Sequence, residues 1–275
     1  MRILFIGDVF GRTGRTLVRQ GVPVLAARYR IDAVVANVEN AASGAGITRE
    51  TGDALLKAGV DVMTTGNHVW DKREALAYIG VEPRLLRPLN MSPAAPGRGA
   101  YVARLADGRP IGVVNAMGRV FMPPVDNPFE AVAAAVDRLA RECRVIVVDM
   151  HAEATAEKIA MGWHLDGRVA AVVGTHTHVQ TADARVLPGG TAYITDVGMT
   201  GPHDSIIGMA REEVLAKFVT GLPARMEPAE GNPRLQAVVI DADDGTGLAR
   251  EIVRLDWLQQ EILDAHRAGD DEQPL

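Results

Sequence analysis

Cysteine is almost absent from this sequence: Cys143 is the single one among 275 residues. That excludes an internal disulfide and any cysteine-cluster metal site. Within Glu142-Cys143-Arg144-Val145 it reads as a small buried hydrophobe. Aromatic residues make up only 4% of the chain, so the core must be aliphatic, as in sheets covered by helices. No apolar run approaches the roughly 18 residues that a membrane-spanning helix needs. The first run, Ile3–Ile6, is too short for a signal peptide and is followed at once by Gly7-Asp8. With the cysteine usage, this points to a reducing cytoplasm. Positive charge is not in excess either. Lys and Arg total 29 against 35 Asp and Glu, a net charge of −6, which argues against a protein that coats nucleic acid.

What is present has a rhythm. Hydrophobic residues reach 47%, a globular value. The length suits one α/β domain over residues 1–268, with a polar, frayed tail over 269–275. Ile3–Ile6, Ala33–Ala36, Val60–Met63, Ile111–Val114, Val145–Val148 and Val169–Val173 are short, β-branched and nearly continuous. Such runs suit strands buried on both faces. Helices are predicted over Gly14–Tyr29, with a kink or break at Pro23, and over Arg49–Ala58, Lys72–Tyr78, Phe129–Arg141 and Thr155–Met161. Asn127-Pro128 supplies a cap and first position for the fourth. Hairpin signals at Asp107-Gly108, Pro188-Gly189-Gly190 and Asp243-Asp244-Gly245 rule out a purely parallel sheet. The expected fold is α/β, with two mixed β-sheets packed as a sandwich and flanked by helices.

The informative polar residues stand at the ends of these runs. Asp8 follows the first; Asn37, Glu39 and Asn40 the second; Asn67 and His68 the third; His151 and the pair His176 and His178 follow two later ones. Ligands bind at the carboxyl edge of strands in α/β sheets. Each residue has a bland alternative: Asp8 as a helix cap, Asn67 as a turn residue, His151 as a core histidine, the histidine pair as surface loop. All of them falling at strand ends by accident is much less expected. His176 and His178, at i and i+2, point the same way only on extended backbone. The donors are hard oxygens and nitrogens without thiolate, a set that suits Fe, Mn, Mg or Zn. They exceed the needs of one ion, and Glu39 is a natural carboxylate bridge between two.

These segments resemble the calcineurin-like metallophosphoesterases. The parallel runs through Gly7-Asp8-Val9-Phe10, Asn37-Val38-Glu39-Asn40, Gly66-Asn67-His68-Val69, His151 and Gly174-Thr175-His176-Thr177-His178. Phe10 stands where a ligand histidine is usual, and Glu39 with Asn40 replaces the usual aspartate motif. Those departures resemble the YmdB-like phosphodiesterases, as do Gly7-Asp8-Val9-Phe10-Gly11-Arg12 and Thr195–Pro202 followed by Ser205–Gly208. The resemblance implies a four-layered fold. It also implies hydrolysis of a small anionic phosphodiester, notably 2′,3′-cyclic nucleotides, by hydroxide attack on phosphorus at two metal ions, with iron or manganese favoured. Carried over, it puts Asp8, Asn40 and His178 on the first ion, Asn67, His151 and His176 on the second, Glu39 between them, and His68 as the acid. It implies a homo-oligomer, commonly a tetramer. A phosphomonoesterase or protein phosphatase on the same scaffold, or a metal-bound regulator, are the rival readings.

Other features carry less. Arg12 suits a phosphate contact or a plain helix start. Arg15, Arg19, Arg28 and Arg30 read as a solvated helix face. The loop 119–129, with Phe121, Pro123 and Pro124, suits base stacking or a subunit contact equally. His164, His203 and His266 have no partners in the pattern.

Overall fold

Along Arg2–Ile6, the first strand (β1), successive side chains go to different cores. Ile3 and Phe5 face a second sheet, while Leu4 and Ile6 face a layer of helices. All four are fully buried, which explains why the run shows no polar alternation. Burying each side chain of this size is worth roughly 1.5–3 kcal/mol. The computed structural model describes residues 1–271.

After β1 come β2 (Asp8–Val9), α1 (Gly11–Tyr29), β3 (Ala33–Asn37), α2 (Arg49–Lys57), β4 (Val62–Thr64) and α3 (Ala75–Val81). Then follow β5 (Ala100–Arg104), β6 (Pro110–Met117), α4 (Pro128–Leu139), β7 (Ile146–His151), α5 (Thr155–His164) and β8 (Ala171–Thr175). The chain ends with β9 (Arg185–Val186), β10 (Ala192–Ile194), β11 (Met199–Pro202), α6 (Arg211–Thr220), β12 (Pro233–Ala242), β13 (Ala249–Leu258) and α7 (Gln259–Asp271). One sheet has the order β2-β11-β12-β1-β3-β4, with β13 on β12; the other is β5-β6-β7-β8-β10-β9. Parallel β1, β3 and β4 meet antiparallel β12 in the first sheet. Parallel β6, β7, β8 and β10 carry antiparallel edges β5 and β9 in the second. The three expected hairpins are thus β5–β6, β9–β10 and β12–β13. The sheets pack face to face through Phe5, Val35, Val113, Val147 and Val173. Leu17, Val22 and Leu55 of α1 and α2 cover the first sheet. Val132, Val136 and Met161 of α4 and α5 cover the second. The result is the expected α/β sandwich.

Several expectations are corrected. The helix α1 starts at Gly11 and passes through Pro23 unbroken. Its buried face, Leu17 and Val18 before the proline and Val22 and Leu25 around it, offsets the cost of about 3 kcal/mol of an interior proline. The helix predicted at Lys72–Tyr78 lies at Ala75–Val81, because the preceding residues form turns in which Asp71 engages His68. Its neighbour α2 closes its N-terminus with a reciprocal Thr48–Thr51 capping box. Asp8 is not a helix cap: the capping position of α1 is Phe10, and its side chain makes no cap bond. The segment expected as a tail begins inside α7, which runs to Asp271, and 272–275 lie outside the described residues. Cys143 is buried, and burial pushes its thiol up to about 11, as an inert hydrophobe requires.

Candidate functional site

The core between the sheets turns polar at one end. Val35, Val62, Val147 and Val173 line it, and two residues further along each strand stand Asn37, Thr64, Asp149 and Thr175, all fully buried. Period two keeps each polar side chain on the same face as its apolar predecessor. His151 follows Asp149 on that face. The Asp149 carboxylate accepts from the Thr64 hydroxyl, from Thr175 Oγ1 at 2.7 Å and from Asn37 Nδ2 at 3.1 Å. Thr175 Oγ1 is in turn 2.9 Å from His151 Nδ1. Because the Thr175 proton goes to Asp149, its oxygen accepts from His151 Nδ1–H. The opposite nitrogen, Nε2, is thereby aimed out of the core.

Around His151 Nε2 lie Glu39 Oε1 at 3.1 Å, Asn67 Oδ1 at 3.0 Å and His176 Nδ1 at 3.1 Å. His176 is fixed in the same manner. Its Nε2 is 3.1 Å from the Glu153 carboxylate, which can only accept, so Nδ1 faces inward without a proton. Glu39, His151 and His176 together could hold a metal ion. Gly66 makes room for this packing: a Cβ there would fall 2.1 Å from the His151 ring.

Asp8, Asn40 and His178 form the adjoining group. His178 Nδ1 donates to the Ile207 carbonyl at 2.9 Å, and its Nε2 lies 3.3 Å from Asn40 Oδ1 and 3.7 Å from Asp8 Oδ1. Asn40 spends its amide on the Gly44 carbonyl, which leaves its oxygen toward His178. Asp8 Oδ2 accepts the His176 backbone N–H, while Oδ1 is buried without any hydrogen-bond partner. Phe10, in place of a ligand histidine, meets the His178 ring edge-on at 5.8 Å.

The two histidines do not sit on extended backbone. His176 and His178 have φ of 104° and 64°, so a left-handed turn after β8, and not strand alternation, directs them. A fully buried ion pair braces that turn. Lys158 Nζ donates to Asp196 Oδ2 at 2.7 Å and to the Thr175 carbonyl at 2.9 Å. Asp196 Oδ2 also accepts from the Thr177 backbone N–H and hydroxyl.

Electrostatics follow from the crowding. Burial alone would raise Glu39, but His151 and His68 outweigh it and hold its carboxyl down to about 2. Burial opposes charge on His151, yet Glu39, Asp8 and Asp149 push it up to about 9. Burial, helped by the His151 charge, lowers His176 to about 3. Burial also lowers His178 and raises Asp8. A proton on His151 therefore sits where four donor atoms converge, the place a cation would otherwise take.

His68 stands outside this cluster. Its backbone N–H donates to Glu39 Oε2 at 3.0 Å, but its ring is half-exposed and its Nδ1 is 2.8 Å from Asp71 Oδ2. His164, His203 and His266 lie elsewhere, against Phe129, the Met199 carbonyl and the Gln20 carbonyl. In the loop 119–129, Phe121 projects 90% exposed. Sequence reasoning missed Asp149, Thr175, Glu153, Lys158 and Asp196. Asp149 alone gave a signal, as a charge inside an apolar strand two residues before a histidine.

Two face-to-face mixed sheets with a histidine, carboxylate and asparagine cluster at the strand ends define a protein of the metallophosphoesterase type. A family model described as YmdB-like protein matches residues 4–255, and the chain belongs to that family. A Bacillus subtilis protein named 2′,3′-cyclic-nucleotide 2′-phosphodiesterase is 50% identical over 255 residues, covering 93% of this chain and 96% of its own. A hypothetical protein from Thermus thermophilus superposes with TM-score 0.86 at 44% identity, covering 94% of this chain and 99% of its own. A Mycoplasma pneumoniae protein described as a novel phosphatase gives TM-score 0.86 at 33% identity, covering 96% of both chains. No helix among the described residues is long and apolar enough to cross a membrane.

Proposed function

We propose that this chain is a metal-dependent phosphodiesterase acting on 2′,3′-cyclic nucleotides. The observation that carries the metal reading is the unpartnered, buried Asp8 Oδ1 facing the bare Nε2 of His178. An unpaired buried carboxylate is costly, and this donor set of oxygens and imidazole nitrogens fits a hard or borderline divalent cation. Asp8, Asn40 and His178 would hold one ion, Asn67, His151 and His176 a second, and Glu39 would bridge. Iron or manganese is our reading of the metal. When bound, such ions would lower the pKa of a water to about 7 and offset the phosphate charge.

The chain's own residues supply the rest. Water's oxygen bonds to phosphorus, the bond from phosphorus to one ribose oxygen breaks, and that oxygen needs a proton. His68 supplies it: Asp71 occupies Nδ1, which leaves Nε2 as the nitrogen free to donate. Help of this kind is worth about 10²–10⁴ in rate. The substrate class rests on the name and identity of the Bacillus subtilis relative. Apolar Leu215, Phe218, Val219 and Leu222, exposed on and just after α6, support a homo-oligomer. The cytoplasm remains our reading of location, from the scarcity of cysteine.

The test compares wild-type turnover of a 2′,3′-cyclic nucleotide, a phosphate monoester and a phosphopeptide, before and after chelation. The proposal expects the cyclic diester to be preferred and its turnover to vanish with the metal. Preference for the monoester or phosphopeptide would establish a phosphatase instead.

A further inference from the structure

Arg12, Arg15 and Arg19 share one face of α1 and, with Thr16, Ala54 and Leu55, line a cavity of about 260 Å³ between α1 and α2. Arg19, like Arg28 and Arg30, is exposed, as the solvated face read from the sequence requires, and Arg12 is exposed beside it. Among the described residues, none of the three guanidinium groups has a carboxylate within 4.0 Å, whereas Arg84, Arg109 and Arg250 each do. Arg15 is half-buried, and its Nη1 donates to the Ala41 carbonyl. Burial lowers its pKa and Arg12 adds to that, while Glu50 opposes it. The first turn of α1 contains no acidic residue, so the helix dipole repels these charges as well. Three like charges gathered in a concave wall, with no carboxylate in ion-pair contact and only the more distant Glu50 opposing them, form a ready anion site.

Two short links of chain tie this cavity to the metal-type cluster. Arg12 follows Asp8 by four residues, and Arg15 holds the carbonyl of the residue after Asn40. We infer that the Arg12–Arg15–Arg19 cavity binds a second phosphate group of the nucleotide whose cyclic ester is opened at the main site. The inference rests on the phosphodiesterase reading and narrows its substrate class. A 2′,3′-cyclic ester occupies both lower ribose oxygens, so the second phosphate is the 5′-phosphate. The guanidinium groups bind it by charge-assisted hydrogen bonds and take no part in bond breaking.

Two measurements on the full chain test this. In the first, metal-free protein is titrated calorimetrically with inorganic pyrophosphate at low salt. Wild type should bind it, and Arg12→Gln/Arg19→Gln should bind at least about tenfold more weakly. In the second, kcat and KM are compared for a 2′,3′-cyclic nucleotide with and without a 5′-phosphate. The 5′-phosphate should lower KM about five- to tenfold at similar kcat in wild type. The double variant should lose that advantage and keep wild-type kcat on the plain cyclic nucleotide. Pyrophosphate binding without any 5′-phosphate advantage would overturn the substrate assignment and mark a site for a free anion. Absence of pyrophosphate binding would overturn the site itself. If neither cyclic nucleotide turns over, the phosphodiesterase reading fails, and the titration still decides the anion site.

Discussion

His178 Nδ1 donates to the main-chain carbonyl of Ile207 at 2.9 Å. A carbonyl oxygen only accepts, so the proton sits on Nδ1, and Nε2 points bare toward the unpartnered Oδ1 of Asp8. Ile207 makes this contact from a left-handed conformation, φ 47°, which is uncommon for a β-branched residue. Backbone strain of this sort persists where surrounding structure enforces it, often at functional sites. His151 and His176 are pinned by the same logic, through Thr175 and Glu153. Each of the three outer nitrogens is spent on an acceptor; the inner nitrogens of His151 and His176 meet beside Glu39, and that of His178 faces Asp8 and Asn40.

Asp8→Asn should therefore separate stability from metal binding. The metal-free variant should melt no lower than wild type, because a desolvated carboxylate is replaced by a neutral amide. Its metal content should fall, and the rise in melting temperature on adding metal should shrink. Calorimetric melting with elemental analysis checks this. A lower metal-free melting point with full metal content would contradict it.

Thr175→Val should free the His151 ring by cutting its link to Asp149, with a loss of about 10–100-fold in metal affinity. Thr175→Ser keeps the hydroxyl and should restore most of it. Competition with a coloured chelator measures both. Equal affinity in the valine and serine variants would deny the link its orienting role.

The pH dependence has a definite sign. The His151 pKa is raised to about 9 in the metal-free fold, above the ordinary value of about 6.5. Its stabilising contribution is complete below about pH 6.5 and is lost as pH rises through about 9. Metal can use Nε2 only after that proton leaves, so uptake at pH 8 should release close to one proton from His151. Calorimetric titration in two buffers of different ionisation enthalpy reads the number. No proton release at pH 8, with release appearing only below pH 6, would contradict the raised value.

His68→Ala should keep near wild-type metal content, since its ring is held by Asp71 and is not among the clustered donor groups. It should lose about 10²–10⁴ in kcat on substrates with a poor leaving group. With a p-nitrophenolate leaving group, the loss should be smaller. Equal losses on both substrates, accompanied by depleted metal, would make His68 a ligand.

Much of this site was legible in the sequence because strands impose it. Asp8, Glu39, Asn40, Asn67, His151, His176 and His178 each follow an apolar run, and parallel strands carry their ends to one edge. The supporting residues were less legible. Thr175 and Glu153 are ordinary residues until the fold brings them to a histidine nitrogen. Lys158 and Asp196 are 38 residues apart, and nothing local announces their pairing. The left-handed turn at His176 and His178 was missed because the apolar run before it suggested extended backbone. Pro23 misled for a tertiary reason: the buried face of α1 holds the helix across it. The position of α3 shifted because Asp71 joins His68 in a turn.

The most direct test of the central claim is metal content and 2′,3′-cyclic nucleotide turnover measured together on Glu39→Ala. Glu39 Oε1 is 3.1 Å from His151 Nε2, and its Oε2 accepts the His68 backbone N–H. The account predicts a fall from about two ions per chain to at most one, with turnover nearly abolished. Wild-type metal content and wild-type turnover in the purified variant would show that no bridged metal pair does the chemistry.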